Sequence, residues 1–225
     1  MATLDPTKLR LLDAAGEEFA EKGFEGATVR SILSRAGVRN IAAVNYYYGD
    51  KEQLYTQALI EAHRCELREP DGDEDAAGPP AERLRRNIRH FLTNVLALDR
   101  DPGWHNTLMI RELIRPTSAS ETLARDVIRP KYERLRGILG EICPEADERR
   151  LHVLAFSVVG QCLHYRLARP ISERLMGADY AALDVDYLTD HIAGFTLAAL
   201  GQAPPLGVAG VPAATGAGGQ GGGGR

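Results

Sequence analysis

Cysteine is scarce in this chain: Cys65, Cys143 and Cys162 are the only three in 225 residues, and they lie far apart. No Cys-x-x-Cys pair or other metal-ligand spacing exists, which argues against a zinc site or a disulfide framework and for free thiols in a reducing compartment. Aromatic residues are thin at 6%, with a single tryptophan, while Leu and Ala are plentiful, a balance that favours helix over sheet. No apolar run approaches the ~18 residues of a membrane span. The opening Met-Ala-Thr-Leu-Asp-Pro has neither the basic start nor the apolar core of a secretory signal, so the expectation is a cytoplasmic chain without a membrane partner. Positive charge is also short, 27 Lys and Arg against 31 Asp and Glu, and the formal net charge of −4 gives no global pull toward nucleic acid. Nucleophile, base and acid residues form no Ser/His/Asp or Cys/His set with workable spacing, so no enzymatic activity, cofactor or metal is expected.

What the chain does have is helical punctuation. Asp5-Pro6 opens a first helix, with Asp as N-cap and Pro where its missing N–H does no harm. Leu9, Leu12, Ala15 and Phe19 form its inward stripe, Glu17-Glu18 its surface, and Gly23 its end. Thr28 caps a short second helix with Val29, Ile32, Leu33 and Ala36 inward and Arg30, Ser34 and Arg35 outward, and Gly37 breaks it. A third helix is expected from about Ile41 to Tyr48, ended by Gly49. Asp50 with Gln53 three residues on, a capping-box variant, starts a fourth carrying Leu54, Ala58 and Leu59. From Glu66 to Pro80 the sequence turns acidic and rich in Pro and Gly, as a loop between layers. Helical patterning returns over 81–99, 104–114, 120–142, 148–168 and 184–200, punctuated by Pro116, Pro130, Pro144 and Pro170. Residues 201–225 are nearly all Gly, Ala, Pro and Val, a composition expected to stay disordered.

The two short helices joined at Ala36-Gly37-Val38 have the geometry of a DNA reader, although any small helical bundle also contains tight turns. Glycine permits the turn, and the second helix of the pair, carrying Asn45, Tyr46 and Tyr47, is of a size the major groove accepts. Between Ala27 and Lys51, four cations (Arg30, Arg35, Arg39, Lys51) face one carboxylate, Asp50, a local net of +3. The stretch TVRSILSRAGVRNIAAVNYYYGDKEQLYTQAL closely resembles the N-terminal domain of the TetR family of repressors. That family reads T-x-x-x-I-A-x-x-A-G-V, then Y-x-H-F or Y-Y-x-F, then S-K-E-x-L. The variant N-I-A-A-V-N-Y is similar to the CecR-like subgroup. The likeness spans residues 7–64, about a quarter of the chain. RELIRPTSASETLARDVIRPKYERL and VVGQCLHYRLARP resemble the subgroup's C-terminal domain more loosely.

The resemblance implies an all-α fold, with an N-terminal three-helix helix-turn-helix domain (1–64) followed by a helical ligand-binding and dimerisation domain (81–200). It also implies roles. Thr28 bonds a phosphate, and Arg30 contacts backbone or base. Arg39, Asn40 and Asn45 stand among base or phosphate contacts, Tyr46 and Tyr47 pack against the DNA backbone, and Lys51 pairs with a phosphate. Tyr48 fills the usual Phe position in the core. The turn is one residue longer than the family's, with Arg39 the insertion, which shifts the register of the recognition helix by up to one position. Tyr47 replaces the frequent His, and no basic arm precedes the first helix.

Residues 81–200 contain far more core than a DNA anchor needs, and broad apolar helix faces readily enclose a pocket. Phe91, Trp104, Leu108 and Glu112 are the candidate effector contacts, although Trp104, the single tryptophan, reads more readily as core, and Cys162 and His164 read as packed residues. In relatives the last two helices form a four-helix bundle across a two-fold axis. Here Ser157, Gly160, Ala193 and Gly194 allow close approach, and Phe156 and Phe195 fill the seam. The expected partners are therefore a double-stranded DNA operator, a second copy of the chain and a small-molecule effector. The competing readings are a DNA-binding architectural or partner-regulated protein without an effector, and a helical carrier or enzyme that has lost DNA binding.

Overall fold

The computed structural model describes residues 5–66, 77–97 and 103–203, and among them every regular element is a helix. Most of the acidic connection (67–76) and of the Gly-rich tail (204–225) lies outside the described residues. The first four helices are α1 (Pro6–Gly26), α2 (Val29–Arg35), α3 (Ala43–Tyr48) and α4 (Lys51–Glu66). Asp5 caps α1 by accepting from the Thr7 N–H at 2.8 Å. Gly23 turns to φ 75° within the final stretch of α1, so the regular helix ends there. At α2 the Thr28 hydroxyl accepts from the Ser31 N–H while the Ser31 hydroxyl accepts from the Thr28 N–H, each at 3.1 Å, which satisfies two orphan donors reciprocally. Gly37 has φ 66°, the left-handed conformation that lets the Val38 N–H reach back to the Leu33 carbonyl and close the helix. Asp50 accepts from the Gln53 N–H at 2.8 Å and starts α4 as its spacing predicts.

The later helices are α5 (Pro80–Ala97), α6 (Trp104–Ile114), α7 (Ala119–Leu123), α8 (Arg129–Ile142), α9 (Glu148–Leu167), α10 (Arg169–Met176) and α11 (Val185–Ala199). The helical stretch expected over 120–142, with Pro130 as its punctuation, contains a π turn at Ala124–Ile128 that separates α7 from α8. Pro130 explains it, because proline cannot donate to the preceding turn and its ring crowds the carbonyl four residues back. Helix α10 and the 3₁₀ turn behind it (Gly177–Ala182) fill a stretch the sequence pattern leaves blank.

Two hydrophobic cores form, and their boundary differs from the chain-order boundary. The first joins α1–α4 to Trp104, Leu108 and Met109 of α6 and to Ala119 and Leu123 of α7. The second packs α5, α8, α9 and α11 around Leu84, Ile88, Leu139 and Ile192. Helices α6 and α7, which follow the connection, therefore belong to the core that carries the helix-turn-helix.

Two sequence readings of α1 change. Leu9 is exposed, because the inward stripe runs through Leu11, Ala14, Ala15, Glu18 and Phe19, slightly out of phase with it. Glu18 is 1% exposed rather than part of a surface. Buried carboxylates need partners, and here Lys22 and Arg35 supply them, with Arg35 Nη2 2.9 Å from Glu18.

Candidate nucleic-acid interface and effector cavity

Helix α3 is short, and its burial alternates sharply. Ala43, Val44 and Tyr48 sink into the first core, while Asn45 and Tyr46 stand outward, Tyr46 81% exposed. The Tyr48 hydroxyl donates to the Lys8 carbonyl at 2.7 Å, and burial pushes its pKa up to about 12, so it is a neutral core strut, as its position in the family pattern implies. The Tyr47 hydroxyl donates to Asp5 at 2.6 Å, tying the recognition helix to the cap of α1, and Tyr46 meets the Tyr47 ring edge-on. Ahead of α3, the Asn40 side-chain carbonyl accepts from the Ala42 N–H at 3.0 Å, an Asx turn that delays the helix to Ala43 and leaves Ile41 exposed. Asn40 thus has a local role that the sequence reading did not anticipate.

The charges divide. Arg30 and Arg39 are exposed, and Lys51 sits half-buried with its ammonium 4.4 Å from the Phe24 ring centre. Arg35 does not join them: it pairs with Glu17, Glu18 and Glu21 at 2.8–2.9 Å, and its charge is spent holding α2 to α1. Thr28, Arg30, Arg39, Asn40, Asn45 and Tyr46 are all exposed around the turn and the recognition helix, while the hydroxyl of Thr28 is engaged in its cap.

Helix α4 lies behind this surface and packs against α1, α3, α6 and α7. Its Tyr55, buried edge-on between Phe19 and Phe24, donates to Glu112 on α6 at 2.8 Å. Glu112 also accepts from the Thr117 N–H at 2.8 Å. Burial, then this carboxylate, raises the Tyr55 pKa and keeps the phenol protonated. Beside it, Trp104 docks on α1: its indole N–H donates to Asp13 at 2.7 Å, and its ring occupies the space a side chain at Gly16 would need. Tyr55, Glu112 and Trp104 therefore weld the two halves of the first core.

A cavity of about 270 Å³ opens one step further along α4, between α4, α5, α6, α8 and α9. Of the four effector contacts expected from the sequence, Phe91 lines it. Trp104, Leu108 and Glu112 do not, because they face α1 and α4 within the first core. They share α6 with cavity-lining residues but stand on another side of it. Met109 and Leu113 are the α6 residues that reach the cavity, with His63, Lys131 and Arg166 coming from α4, α8 and α9. The signal that would have found His63 is a histidine among the inward positions of α4, after Leu59. A groove of about 630 Å³ beside the end of α3 is lined by polar groups including Asp50, Glu52 and Gln53.

Helices α9 and α11 present exposed apolar side chains, Val153, Phe156, Tyr187 and Phe195, of which Phe156 also lines the cavity. Ser157 and Gly160 are also exposed on α9 and Gly194 is half-buried, whereas Ala193 points into the second core. Cys162 is packed, its thiol pKa raised by burial to about 12, but His164 is exposed.

A capped two-helix reader with an exposed polar face, mounted on a helical domain with an internal cavity, defines a DNA-binding helix-turn-helix transcriptional regulator. Two family descriptions match the chain: "Bacterial regulatory proteins, tetR family" over residues 11–58, and "HTH-type transcriptional dual regulator CecR, C-terminal domain" over residues 80–200. The second covers more than half of the chain, which therefore belongs to the TetR family and to its CecR-like branch. It is 27% identical over 175 residues to the HTH-type transcriptional dual regulator CecR of Shigella flexneri, covering 73% of this chain and 78% of that protein. Solved structures share the fold. HlyIIR, a hemolysin II transcriptional regulator, superposes with a TM-score of 0.55 at 24% identity over 79% of this chain and 96% of its own. PfmR, a TetR family regulator from Thermus thermophilus, gives 0.57 at 19% identity over 84% and 97%.

Proposed function

We propose that this regulator is a cytoplasmic, homodimeric repressor that grips a palindromic operator with two copies of α3 and is released when a small molecule enters the cavity between α4 and α9. The observation that carries this reading is the double duty of α4. One end of that helix supports the recognition helix, and His63, near its other end, lines the cavity. A ligand there that prefers one tilt of α4 changes the spacing of the two recognition helices. Such a ligand acts only through its differential affinity for the two arrangements, and couplings of ~1–3 kcal/mol change DNA affinity ~5–150-fold. The exposed apolar faces of α9 and α11 support a two-fold seam through Phe156 and Phe195, with Ser157, Gly160 and Gly194 allowing close approach. Half-sites about one helical turn apart, or a multiple of it, follow from that symmetry. An architectural or partner-regulated protein calls for a filled core where the cavity lies, and the open volume favours the effector reading.

Sequencing of genomic fragments retained by the purified chain tests the proposal. Recovery of one palindromic sequence, with binding that weakens steeply as salt rises, is the expected result. Retention of no fragment at low salt, or of fragments without two-fold symmetry, overturns it.

A further inference from the structure

The exposed face of α3 begins with an aliphatic side chain. Ile41 stands just ahead of the helix and is 70% exposed. Local bonds hold it there. The Asn40 side-chain carbonyl accepts from the Ala42 N–H at 3.0 Å, and the Asn40 backbone carbonyl accepts from the Ala43 N–H at 3.1 Å. The Tyr46 N–H then donates to the Ala42 carbonyl at 2.9 Å, a helical bond. These bonds set the entry into α3, with Ala43 and Val44 turned into the first core and Ile41 and Ala42 outside it. The exposed residues Ile41, Ala42, Asn45 and Tyr46 recur at i, i+1, i+4 and i+5, so they share one face. None of the four carries a charge. The cations nearby come from other segments: Arg30 from α2, Arg39 from the turn and Lys51 from the start of α4. Phosphates are held by such cations, whereas the first residues of a recognition helix meet base edges in the major groove.

We infer that Ile41 reads sequence: its side chain packs on the C5-methyl group of a thymine in the major groove, about one or two base pairs from the base that Asn45 meets. The inference rests on the reading of α3 as the recognition helix and names a base that this helix selects. Thymine alone among the four bases shows a methyl group in the major groove. Against the edge of guanine, adenine or cytosine, an alkyl group excludes water from donors and acceptors that it cannot satisfy. Isoleucine also suits the task because branching at Cβ leaves it little rotamer freedom to lose on contact. Ile41 and Asn45 are four residues apart across the start of the helix, and side chains so spaced stand ~5–6 Å from each other. Base pairs stack every ~3.4 Å, which sets the distance between the two bases read.

Selection by the full chain from a synthetic pool of random-sequence duplexes, followed by replacement of each thymine in the strongest duplex with uracil, tests the inference. Uracil keeps the pairing edge and the O4 acceptor and lacks only the methyl group. One thymine in each half-site is expected to matter, its replacement weakening binding of the native chain about fourfold, as the loss of one buried methyl implies. In Ile41→Ala the same replacement is expected to change nothing, and in Ile41→Val to keep most of its effect. The exposed position predicts an unchanged melting temperature for both variants. A duplex in which no uracil replacement matters, or a sensitive thymine that stays equally sensitive in Ile41→Ala, overturns the assignment and leaves α3 as the reader. Equal weakening of selected and random duplexes by Ile41→Ala moves the side chain to the DNA backbone and overturns it as well. A pool from which no sequence is enriched overturns the reading of α3 and the assignment together.

Discussion

Asn45 holds an amide on the exposed face of α3, while Lys51 holds a full charge at the start of α4, resting on Phe24. Their alanine variants are therefore expected to fail differently in binding titrations. Lys51→Ala weakens binding to specific and random DNA alike and lowers the salt slope by about one, whereas Asn45→Ala narrows the gap between the two DNAs. His63 gives a residue-scale prediction about stability. Its folded pKa, about 4, lies below the ordinary 6.5, so between these values the unfolded chain binds the extra proton. Stability is thus undiminished above pH 6.5 and falls by up to about 3 kcal/mol as pH drops to 4. Melting temperatures measured across that window should fall more steeply in the native chain than in His63→Phe. The outward stance of Asn45 was legible beside apolar Ala43 and Val44, but Tyr46 and Tyr48 are the same residue on opposite faces, and only the family pattern told them apart. The role of Arg35 was not legible: its carboxylate partners lie 14 to 18 positions earlier, a distance that no local pattern reports.

Helix α4 works as a strut because both of its ends are committed, and Tyr55 is the commitment nearest the joint with α6. Removing that hydroxyl leaves the buried Glu112 to Thr117 alone. Tyr55→Phe is accordingly expected to lower unfolding stability by about 1–3 kcal/mol in urea titration, with the helical signal unchanged. Capping made the helix starts readable in the sequence: Asp5, Thr28 and Asp50 each bond the backbone where their spacing says they should. Pro130 marks a break in the sequence, but the π form of the turn before it is not legible because periodicity continues through it. The side of α6 that faces the cavity is not legible for a related reason. Leu108 and Met109 are both apolar and adjacent, and only the packing of α1 and α4 decides which of them turns inward to the first core and which also reaches the cavity.

At the scale of the molecule, the exposed apolar side chains of α9 and α11 are the surface on which the proposed two-fold seam rests. Phe156 belongs to both the proposed seam and the cavity: it is 62% exposed, stacks on Tyr132 and lines the cavity wall. Phe156→Glu is expected to convert dimer to monomer in light scattering and to cost operator affinity, since a single α3 then holds the DNA; a variant that stays dimeric moves the seam elsewhere. The two-part plan was legible from composition and from the family pattern, but the division of the cores was not, because α6 follows the connection in sequence and precedes it in packing. Trp104 at that division has one more consequence. It is the chain's single tryptophan, its indole bonded to Asp13 and pressed on Gly16. All tryptophan emission therefore originates where α6 meets α1, and the protein carries an unlabelled optical gauge of that junction.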